Sequence, residues 1–214
     1  MCGINGFTFN SHKKIEVMNR ELSHRGPDYS GVYLDNNLSL GHVLLSIRGS
    51  IDISKQPYTS KNSDWVLLFN GQIYNTLEIV KDHLQDQVEP TLLDTELIYM
   101  LIQKYGWKFI TKVQGMFSIA LYNKSENILR FYRDASGQKN LYYYFDGNAL
   151  IFSSEIKSIL THNIDKKVSK SSVEISCVIG YLPGEKTLFK NIFKLLPSEV
   201  VSYNLNNKKL SKAF

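Results

Sequence analysis

The sequence predicts a system of antiparallel β-sheets with helices packed outside it. Strand-like segments occur in blocks joined by short turns, which is typical of hairpins rather than of alternating strand–helix units. Amphipathic helical segments separate these blocks. No G-x-G-x-x-G or G-x-x-x-x-G-K-[ST] motif occurs, so neither common nucleotide-binding fingerprint is present.

The bulk composition indicates one soluble globular domain over residues 1–214. Of these residues, 43% are hydrophobic and 12% aromatic. No apolar run approaches the ~20 residues that cross a bilayer, and no signal peptide is evident, so we expect a cytoplasmic protein without a membrane partner. The net charge of +5 comes mostly from scattered lysines, which favours a solvated surface over nucleic-acid binding.

The first third of the chain predicts strands around one helix. CGINGFTF has strand-like alternation, and HKKIEVMNREL places Ile15, Met18 and Leu22 on one helical face. SGVYL and LSLGHVLLSI flank the turn DNN and predict a hairpin. DWVLLFN predicts a short buried strand that ends at Gly71.

Two helices are predicted next, TLEIVKDHLQ and DTELIYMLIQKYG, with Gly106 as C-cap of the second. Their apolar faces are Leu77, Val80 and Leu84 in the first, and Leu97, Leu101 and Tyr105 in the second. Hairpins follow around KSEN and DGN, and then a short helix, SEIKSILTH, with Ser154 as N-cap.

From about Val168 onward the pattern of predicted elements changes. A helix, a Pro-Gly break and one final strand are predicted, which indicates a tail or a passage toward another domain. Cys177 lies in the apolar segment SSVEISCVIGYL, so we expect a small core residue. Cys2 and Cys177 match no metal or redox spacing, and no metal site is predicted.

Four stretches carry polar residues that a plain core would not require: HRGPD at 24–28, FNGQIYN at 69–75, DTE at 94–96 and RDASGQKNLYY at 133–143. Each has a structural interpretation by itself, as a turn, a loop, or a helix start with Asp94 as N-cap. A fifth feature is Cys2, which excision of Met1 would leave at the amino terminus.

Together these features resemble the glutaminase domain of class II glutamine amidotransferases, most of all that of glutamine-hydrolysing asparagine synthetases. The matching segments are MCGI, HRGPD, LSI at 45–47, FNGQIYN, DTE, QGMFSIALYN, RDASGQKNLYY and FSSEIKSIL. The resemblance covers nearly the whole chain, and residues from about 168 to 214 resemble the passage toward a synthetase domain. It implies a four-layer αββα sandwich of two antiparallel sheets between helix layers.

The resemblance implies that Cys2 is the nucleophile and its free α-amine the base. An α-amine has a pKa of about 7.7–8.0, so a useful fraction is unprotonated near neutral pH. The Asn70 amide and the Gly71 N–H are implied as oxyanion donors, and Arg25 as an organiser near Cys2.

For the substrate, the resemblance implies that Asp94 pairs with the α-ammonium of glutamine and that Gln72, Ile47 and Arg48 contribute to binding. Further site residues, Asp28 and Asp134, are expected to be structural.

Two positions depart from the family pattern. Leu44 stands where the family usually has an arginine that grips the substrate carboxylate, and Gln72 stands where glutamate is usual. If the strand continued through Arg48, that arginine would lie about 13 Å from Leu44. The site is therefore either a glutaminase, a hydrolase of a different amide, or a non-catalytic domain that supports a partner.

No SGGxDS-like pyrophosphate loop occurs, so this polypeptide is not expected to activate aspartate with ATP by itself. We expect no cofactor for this domain, with ATP and Mg required only by an associated synthetase. The expected partners are glutamine and a synthetase domain or subunit, and self-association is left open.

Overall fold

A computed structural model describes residues 2–47, 49–60, 63–84 and 93–214 of the chain. Within these ranges the strands form two antiparallel sheets. Sheet 1 contains, in spatial order, β2 (Tyr29–Asp35), β3 (Leu38–Leu44), β1 (Gly3–Phe7), β8 (Leu150–Ser153), β7 (Tyr142–Phe145) and β9 (Ile192–Lys194). Sheet 2 contains β11 (Lys209–Ala213), β10 (Val200–Asn204), β6 (Ile128–Arg133), β5 (Gly115–Asn123) and β4 (Trp65–Ile73).

Six α-helices accompany the two sheets in the described ranges. They are α1 (His12–Glu21), α2 (Ile51–Ser54), α3 (Thr76–Ile79), α4 (Asp94–Tyr105), α5 (Ile156–Ile159) and α6 (Lys170–Ile179). A π-helical turn, Val80–Leu84, continues α3, and a 3₁₀ turn, Trp107–Lys112, follows α4. None of the helices in the described ranges is long and apolar enough to cross a bilayer.

Three apolar clusters define the layers. One joins the facing sides of the two sheets, with Ile4 of β1 and Leu68 of β4 among its members. A second joins the other face of sheet 2 to α4, and a third joins the other face of sheet 1 to α1 and α5. This order of helix, sheet, sheet and helix confirms the αββα sandwich.

The hairpins around DNN, KSEN and DGN are confirmed as β2–β3, β5–β6 and β7–β8. Helix α1 buries Ile15, Met18 and Leu22 as predicted. Strand β4 continues to Ile73, two residues beyond the predicted end at Gly71.

The predicted apolar face of the first central helix is wrong at Leu77, whose side chain is 86% exposed. The regular helix ends at Ile79 and a π-helical turn follows. Because a π turn holds more residues than an α turn, the 3.6-residue periodicity does not carry through, and Ile79 and Leu84 are the buried residues.

Of the two alternatives for the segment after Val168, the structure does not show a separate tail, and a passage toward another domain stays a prediction. Strand β9 pairs with β7 in sheet 1, and β10 pairs with β6 in sheet 2, so this segment contributes to both sheets. Val201 and Tyr203 lie in the cluster between the sheets. Residues 168–213 are therefore part of the same packed unit.

Cys177 is exposed, which contradicts the expected core position. It lies on α6, where only Ser172 is buried although the helix is rich in apolar residues. An apolar sequence predicted burial, but α6 packs against the rest of the described chain through one narrow side.

Two predicted helix caps are displaced by other hydrogen bonds. The Ser154 hydroxyl accepts from the Ile4 N–H at 3.0 Å, and α5 begins after Glu155 instead. The N-cap of α4 is Leu93, while the Asp94 carboxylate accepts from the Ile73 N–H at 2.9 Å. The Ser154 side chain therefore holds β1, and the Asp94 side chain holds β4.

Candidate active site

Cys2 lies at the start of β1, beside the end of β3. The register pairs Gly3 with Val43, so Cys2 is opposite Leu44. Since side chains alternate along a strand, Cys2 points to the same side as Ile4, which is the space between the sheets. Its sulfur lies 3.8 Å from the Leu45 carbonyl oxygen, and the residue is half-buried.

A cavity of about 170 Å³ opens at Cys2. It resembles in size the engineered cavity of about 150 Å³ that accepts a benzene molecule, and so suits one small ligand. The residues that line it are Cys2, Leu44, Leu45, Ser46, Ile47, Ser54, Gln56, Phe69, Asn70, Gly71, Gln72, Leu93, Asp94, Thr95, Met116 and Lys139. Strands from both sheets therefore contribute to one site.

The free edge of sheet 2 supplies backbone donors to this region. Strand β4 is the edge strand, and its alternate residues direct their N–H groups away from β5. The N–H of Leu67 bonds the Tyr58 carbonyl, and that of Ile73 bonds Asp94. Phe69, the next in the series, donates to Gln56 Oε1 at 2.7 Å.

Gly71 belongs to this same outward-facing series. Its paired residue, Phe117, directs both its N–H and its carbonyl to Asp134 rather than across to β4. Among the described residues, no hydrogen bond outside the sheet takes up the Gly71 N–H. It is thus a backbone donor on the cavity wall.

A side chain at position 71 would not fit. A Cβ there would lie 2.1 Å from the Met116 carbonyl oxygen and 2.4 Å from Phe117 Cβ. The glycine lets β4 and β5 approach closely at this point, which fixes the position of its N–H.

Asn70 supplies a second donor. It shares its strand face with Leu68, which packs between the sheets, so its side chain points toward the side on which Cys2 lies. The residue is 2% exposed, and Nδ2 has no hydrogen-bond partner among the described residues. Because a buried, unpaired amide costs about 1–3 kcal/mol, its retention beside a cavity indicates a donor kept for a ligand.

Arg25 fixes the backbone at Cys2. Its Nε donates to the Cys2 carbonyl at 3.0 Å, and its NH1 donates to Glu155 at 2.8 Å. Burial raises the pKa of the Glu155 carboxyl, but hydrogen bonds from Arg25 and His24 outweigh it and lower the pKa. The ionised Glu155 in turn orients the guanidinium.

Two aspartates hold loops around the site. Asp28 accepts from the Ser46 N–H at 2.7 Å, on the segment that follows β3. Asp134 is fully buried and accepts from the backbone N–H groups of Phe117, Gln138 and Lys139. Burial alone would raise the pKa of Asp134, but these bonds lower it, so the carboxylate stays ionised.

Three of the residues expected to bind substrate line the same cavity. Asp94 and Gln72 line it together with Ile47, which is 77% exposed at the rim. Leu44 is buried in its wall. Strand β3 ends at Leu44 instead of continuing through residue 47 as predicted, and Arg48 lies outside the described residues.

Three residues of the site were not assigned a role from the sequence. Gln56 bonds both backbone groups of Phe69, Glu155 pairs with Arg25, and the Lys139 side chain lines the cavity. Lys139 lies in the segment RDASGQKNLYY, which the sequence analysis had already singled out as polar. Its place in that segment, close to Asp134, was the signal that could have indicated a position at the site. Within the described ranges, no cluster of three His, Cys, Asp or Glu residues could hold a metal.

A family model described as a glutamine amidotransferase domain matches residues 1–214. The chain belongs to this family. Over its full length, the amidotransferase domain is 33% identical to a putative glutamine-hydrolysing asparagine synthetase 2 of Methanocaldococcus jannaschii and covers 46% of that protein. Over 92% of its length, it is 30% identical to a glutamine-hydrolysing asparagine synthetase 1 of Bacillus subtilis, of which it covers 32%. The domain therefore spans less than half of these curated relatives.

The fold of the amidotransferase domain occurs in a larger solved enzyme. It matches glutamine phosphoribosylpyrophosphate amidotransferase from Bacillus subtilis with a TM-score of 0.68 and 16% identity, over 99% of this chain and 49% of that one. The match supports the four-layer αββα fold.

Proposed function

We propose that this domain hydrolyses the side-chain amide of glutamine and supplies ammonia to a synthetase domain or subunit. The observation that carries the proposal is the cavity that joins the Cys2 thiol to the N–H donors of Asn70 and Gly71, which form no hydrogen bond outside the sheet with any described residue. A nucleophile and a pair of convergent donors are the requirements of acyl transfer.

The first step needs Cys2 at the amino terminus, after loss of Met1. The α-amine takes the thiol proton, and sulfur forms a bond to the amide carbon. The carbonyl π electrons move to oxygen, where the donors of Asn70 and Gly71 stabilise the negative charge. One such donor contributes about 2.7–4 kcal/mol to lowering the barrier.

The second step returns the proton. The carbonyl re-forms, the C–N bond breaks, and the α-ammonium protonates the leaving nitrogen, which departs as ammonia. A thioester remains on Cys2. Water, deprotonated by the same amine, attacks the thioester and releases glutamate and the thiol.

Further residues are proposed to orient the substrate. Asp94 pairs with the α-ammonium of glutamine, and Gln72, Ile47 and Arg48 complete the binding site. Asp94 also holds the Ile73 N–H, which fixes its carboxylate relative to β4.

We further propose that the domain needs no cofactor and that any ATP and Mg are used by the associated synthetase. A cytoplasmic location suits this chemistry because reducing conditions keep Cys2 a thiol. The similarity to asparagine synthetases that are more than twice as long supports a synthetase partner.

An intact-mass measurement with 6-diazo-5-oxo-norleucine tests the proposal. This glutamine analogue alkylates the nucleophile of glutaminases, so we expect loss of Met1 and one adduct on Cys2. Cys2→Ala should remain unlabelled, and the exposed Cys177 should not react in either protein. An adduct on Cys177 alone would overturn the proposal.

A hydrolase of a different amide is the second candidate, and Leu44 favours it. A desolvated guanidinium–carboxylate contact contributes on the order of 2–4 kcal/mol, which corresponds to about 30- to 1000-fold in affinity. Leucine in the cavity wall supplies none of this.

Kinetics of two variants separate the candidates. If Leu44→Arg lowers KM for glutamine at least tenfold, the native site is a weak glutaminase. If it has no effect and Arg48→Ala abolishes binding, Arg48 grips the carboxylate. If Cys2 reacts with a general electrophile but neither protein responds to glutamine or its analogue, the substrate is another amide. A Cys2 that is unreactive toward both reagents favours a non-catalytic supporting domain.

A further inference from the structure

A row of three polar side chains crosses sheet 2 at Asn70. Asn70 of β4, Ser118 of β5 and Arg133 of β6 lie opposite one another in the strand register. Two positions along the same strands, the corresponding row lies in the apolar cluster between the sheets and consists of Leu68, Ala120 and Phe131. Because side chains alternate along a strand, Asn70, Ser118 and Arg133 are also on the face of sheet 2 that is turned toward sheet 1.

All three residues are buried, and each has a polar atom without a partner. Asn70 is 2% exposed, Ser118 0% and Arg133 6%. Among the described residues, nothing bonds Asn70 Nδ2, Ser118 Oγ or Arg133 Nε, although the terminal nitrogens of the guanidinium are engaged. Buried polar groups in proteins are nearly always hydrogen-bonded, either to protein or to ordered water. Three such atoms in one row therefore indicate a ligand that they share.

The order of the side chains favours a small ligand at Ser118. Serine has the shortest side chain of the three, and it lies between the two longer ones. Residues directly opposite each other on adjacent strands have Cβ atoms about 4.5–5.5 Å apart, yet Asn70 and Ser118 form no hydrogen bond with each other. A buried site bounded by several unpaired polar atoms is the kind that holds a water molecule.

Such a ligand bears on catalysis because Asn70 is the proposed oxyanion donor. The terminal torsion of an asparagine side chain is broad and roughly two-fold, so the backbone alone does not decide which end of the carboxamide meets the oxyanion. An oxyanion donor is effective only when it is held in place before the reaction. The amide nitrogen carries two N–H groups, so one can be held while the other serves the oxyanion.

We propose that an ordered water at Ser118 accepts hydrogen bonds from Asn70 Nδ2 and Arg133 Nε and donates one to Ser118 Oγ. Ser118 is then a positioning residue of the glutaminase site, since it acts on the oxyanion through Asn70. This role rests on the proposed function. The water holds one N–H of the Asn70 carboxamide and leaves the other directed at the oxyanion.

A crystal structure of the full chain, at a resolution that shows ordered waters, tests the site without any substrate. We expect a water within hydrogen-bond distance of Asn70 Nδ2, Ser118 Oγ and Arg133 Nε. The same site in Ser118→Ala should be empty, because the alanine methyl group offers the water no partner.

A double-mutant cycle tests the role in catalysis. In Ser118→Ala, we expect kcat for glutamine to fall about tenfold with KM unchanged, because the donor is misdirected while the substrate-binding residues are intact. In an Asn70→Ala background, the same substitution should change kcat less than about twofold, because the group that the water positions is gone. A residue that acted only on the stability of the sheet would not show this dependence on Asn70.

Ser39→Ala is the matched control. Ser39 is also a fully buried strand serine, but its Oγ donates to the Phe9 carbonyl at 2.8 Å and accepts from the Ser11 N–H at 3.0 Å. It lies near the end of β3 that is remote from Leu44. We expect Ser39→Ala to lose stability in urea and to keep native kcat.

Three results would overturn the proposal: native kcat in Ser118→Ala, an equal loss of kcat with and without Asn70, or a native structure with no water at the site. A native protein that holds the water but does not hydrolyse glutamine would instead refute the proposed function and leave the water site standing. A native protein that hydrolyses glutamine without the water refutes the role of Ser118 alone.

Discussion

Replacing Asn70 with alanine tests the oxyanion site most directly. The Asn70 side chain makes no hydrogen bond to a described residue, and its Nδ2 is buried. If the amide exists to bind the transition state, its removal should damage catalysis far more than folding.

The expected changes in kcat and in the free energy of unfolding follow from this geometry. Loss of one oxyanion donor costs about 2.7–4 kcal/mol of barrier, so kcat should fall by about 10²- to 10³-fold. No hydrogen bond to a described residue is broken, and a buried amide nitrogen without a partner among those residues is removed, so the free energy of unfolding should change by no more than about 1 kcal/mol.

Asn123→Ala is the matched control. Asn123 is also a buried asparagine of sheet 2, but its Oδ1 accepts from the Ser125 hydroxyl and the Glu126 N–H, both at 2.9 Å. It lies at the end of β5 opposite Trp65, five residues along the strand from the partner of Asn70. We expect a loss of about 1–3 kcal/mol in stability and nearly native activity.

Ammonia release and urea unfolding, measured on both variants, decide the question. The reasoning would be refuted if Asn70→Ala lost several kcal/mol of stability, since the amide would then be structural. It would equally be refuted if Asn70→Ala kept more than a tenth of native kcat.

Three further outcomes are expected. Cys2→Ala should abolish ammonia release and leave the melting temperature unchanged, and retention of a tenth of native activity in this variant would exclude the thioester. Cys177→Ala should change neither ammonia release nor the melting temperature, because the Cys177 thiol is exposed. A residue inserted to block Met1 removal should silence the enzyme without unfolding it, and the acidic limb of kcat/KM in the native protein should lie near pH 7–8, the range of an α-amine. Burial lowers the pKa of His42 to about 3, so only the unfolded state takes up a proton at this histidine as pH falls from about 6.5. The free energy of unfolding should therefore drop by up to about 1.4 kcal/mol per pH unit toward pH 3. In His42→Leu, the free energy of unfolding measured with urea should fall less steeply with pH, by the contribution of this one proton.

The sequence predicted the hairpins because turn residues and alternation are local signals. The DNN, KSEN and DGN turns each mark a pair of strands that the structure contains. Strand β9 was missed because it has three residues and pairs with β7, which lies some fifty positions away. Leu77 was placed wrongly because a π turn leaves no periodic signal.

The candidate site was predictable in its residues but not in its geometry. Cys2, Asn70, Gly71 and Asp94 line one cavity, as their motifs suggested. That the Gly71 N–H faces the free edge of sheet 2 depends on the register with β5 and on the Asp134 bonds to Phe117. Such long-range pairings are not encoded in any short segment.

Both sheets contribute to the groups that react and to the residues proposed to bind substrate. The donors of Asn70 and Gly71 are set by the edge of sheet 2, while Leu44 closes the end of β3 in sheet 1. Because Leu44 and the oxyanion donors belong to different sheets, a substitution at Leu44 can alter substrate affinity without moving those donors. The departure at Leu44 therefore bears on which amide is bound, while the reaction centre by itself favours hydrolysis through Cys2.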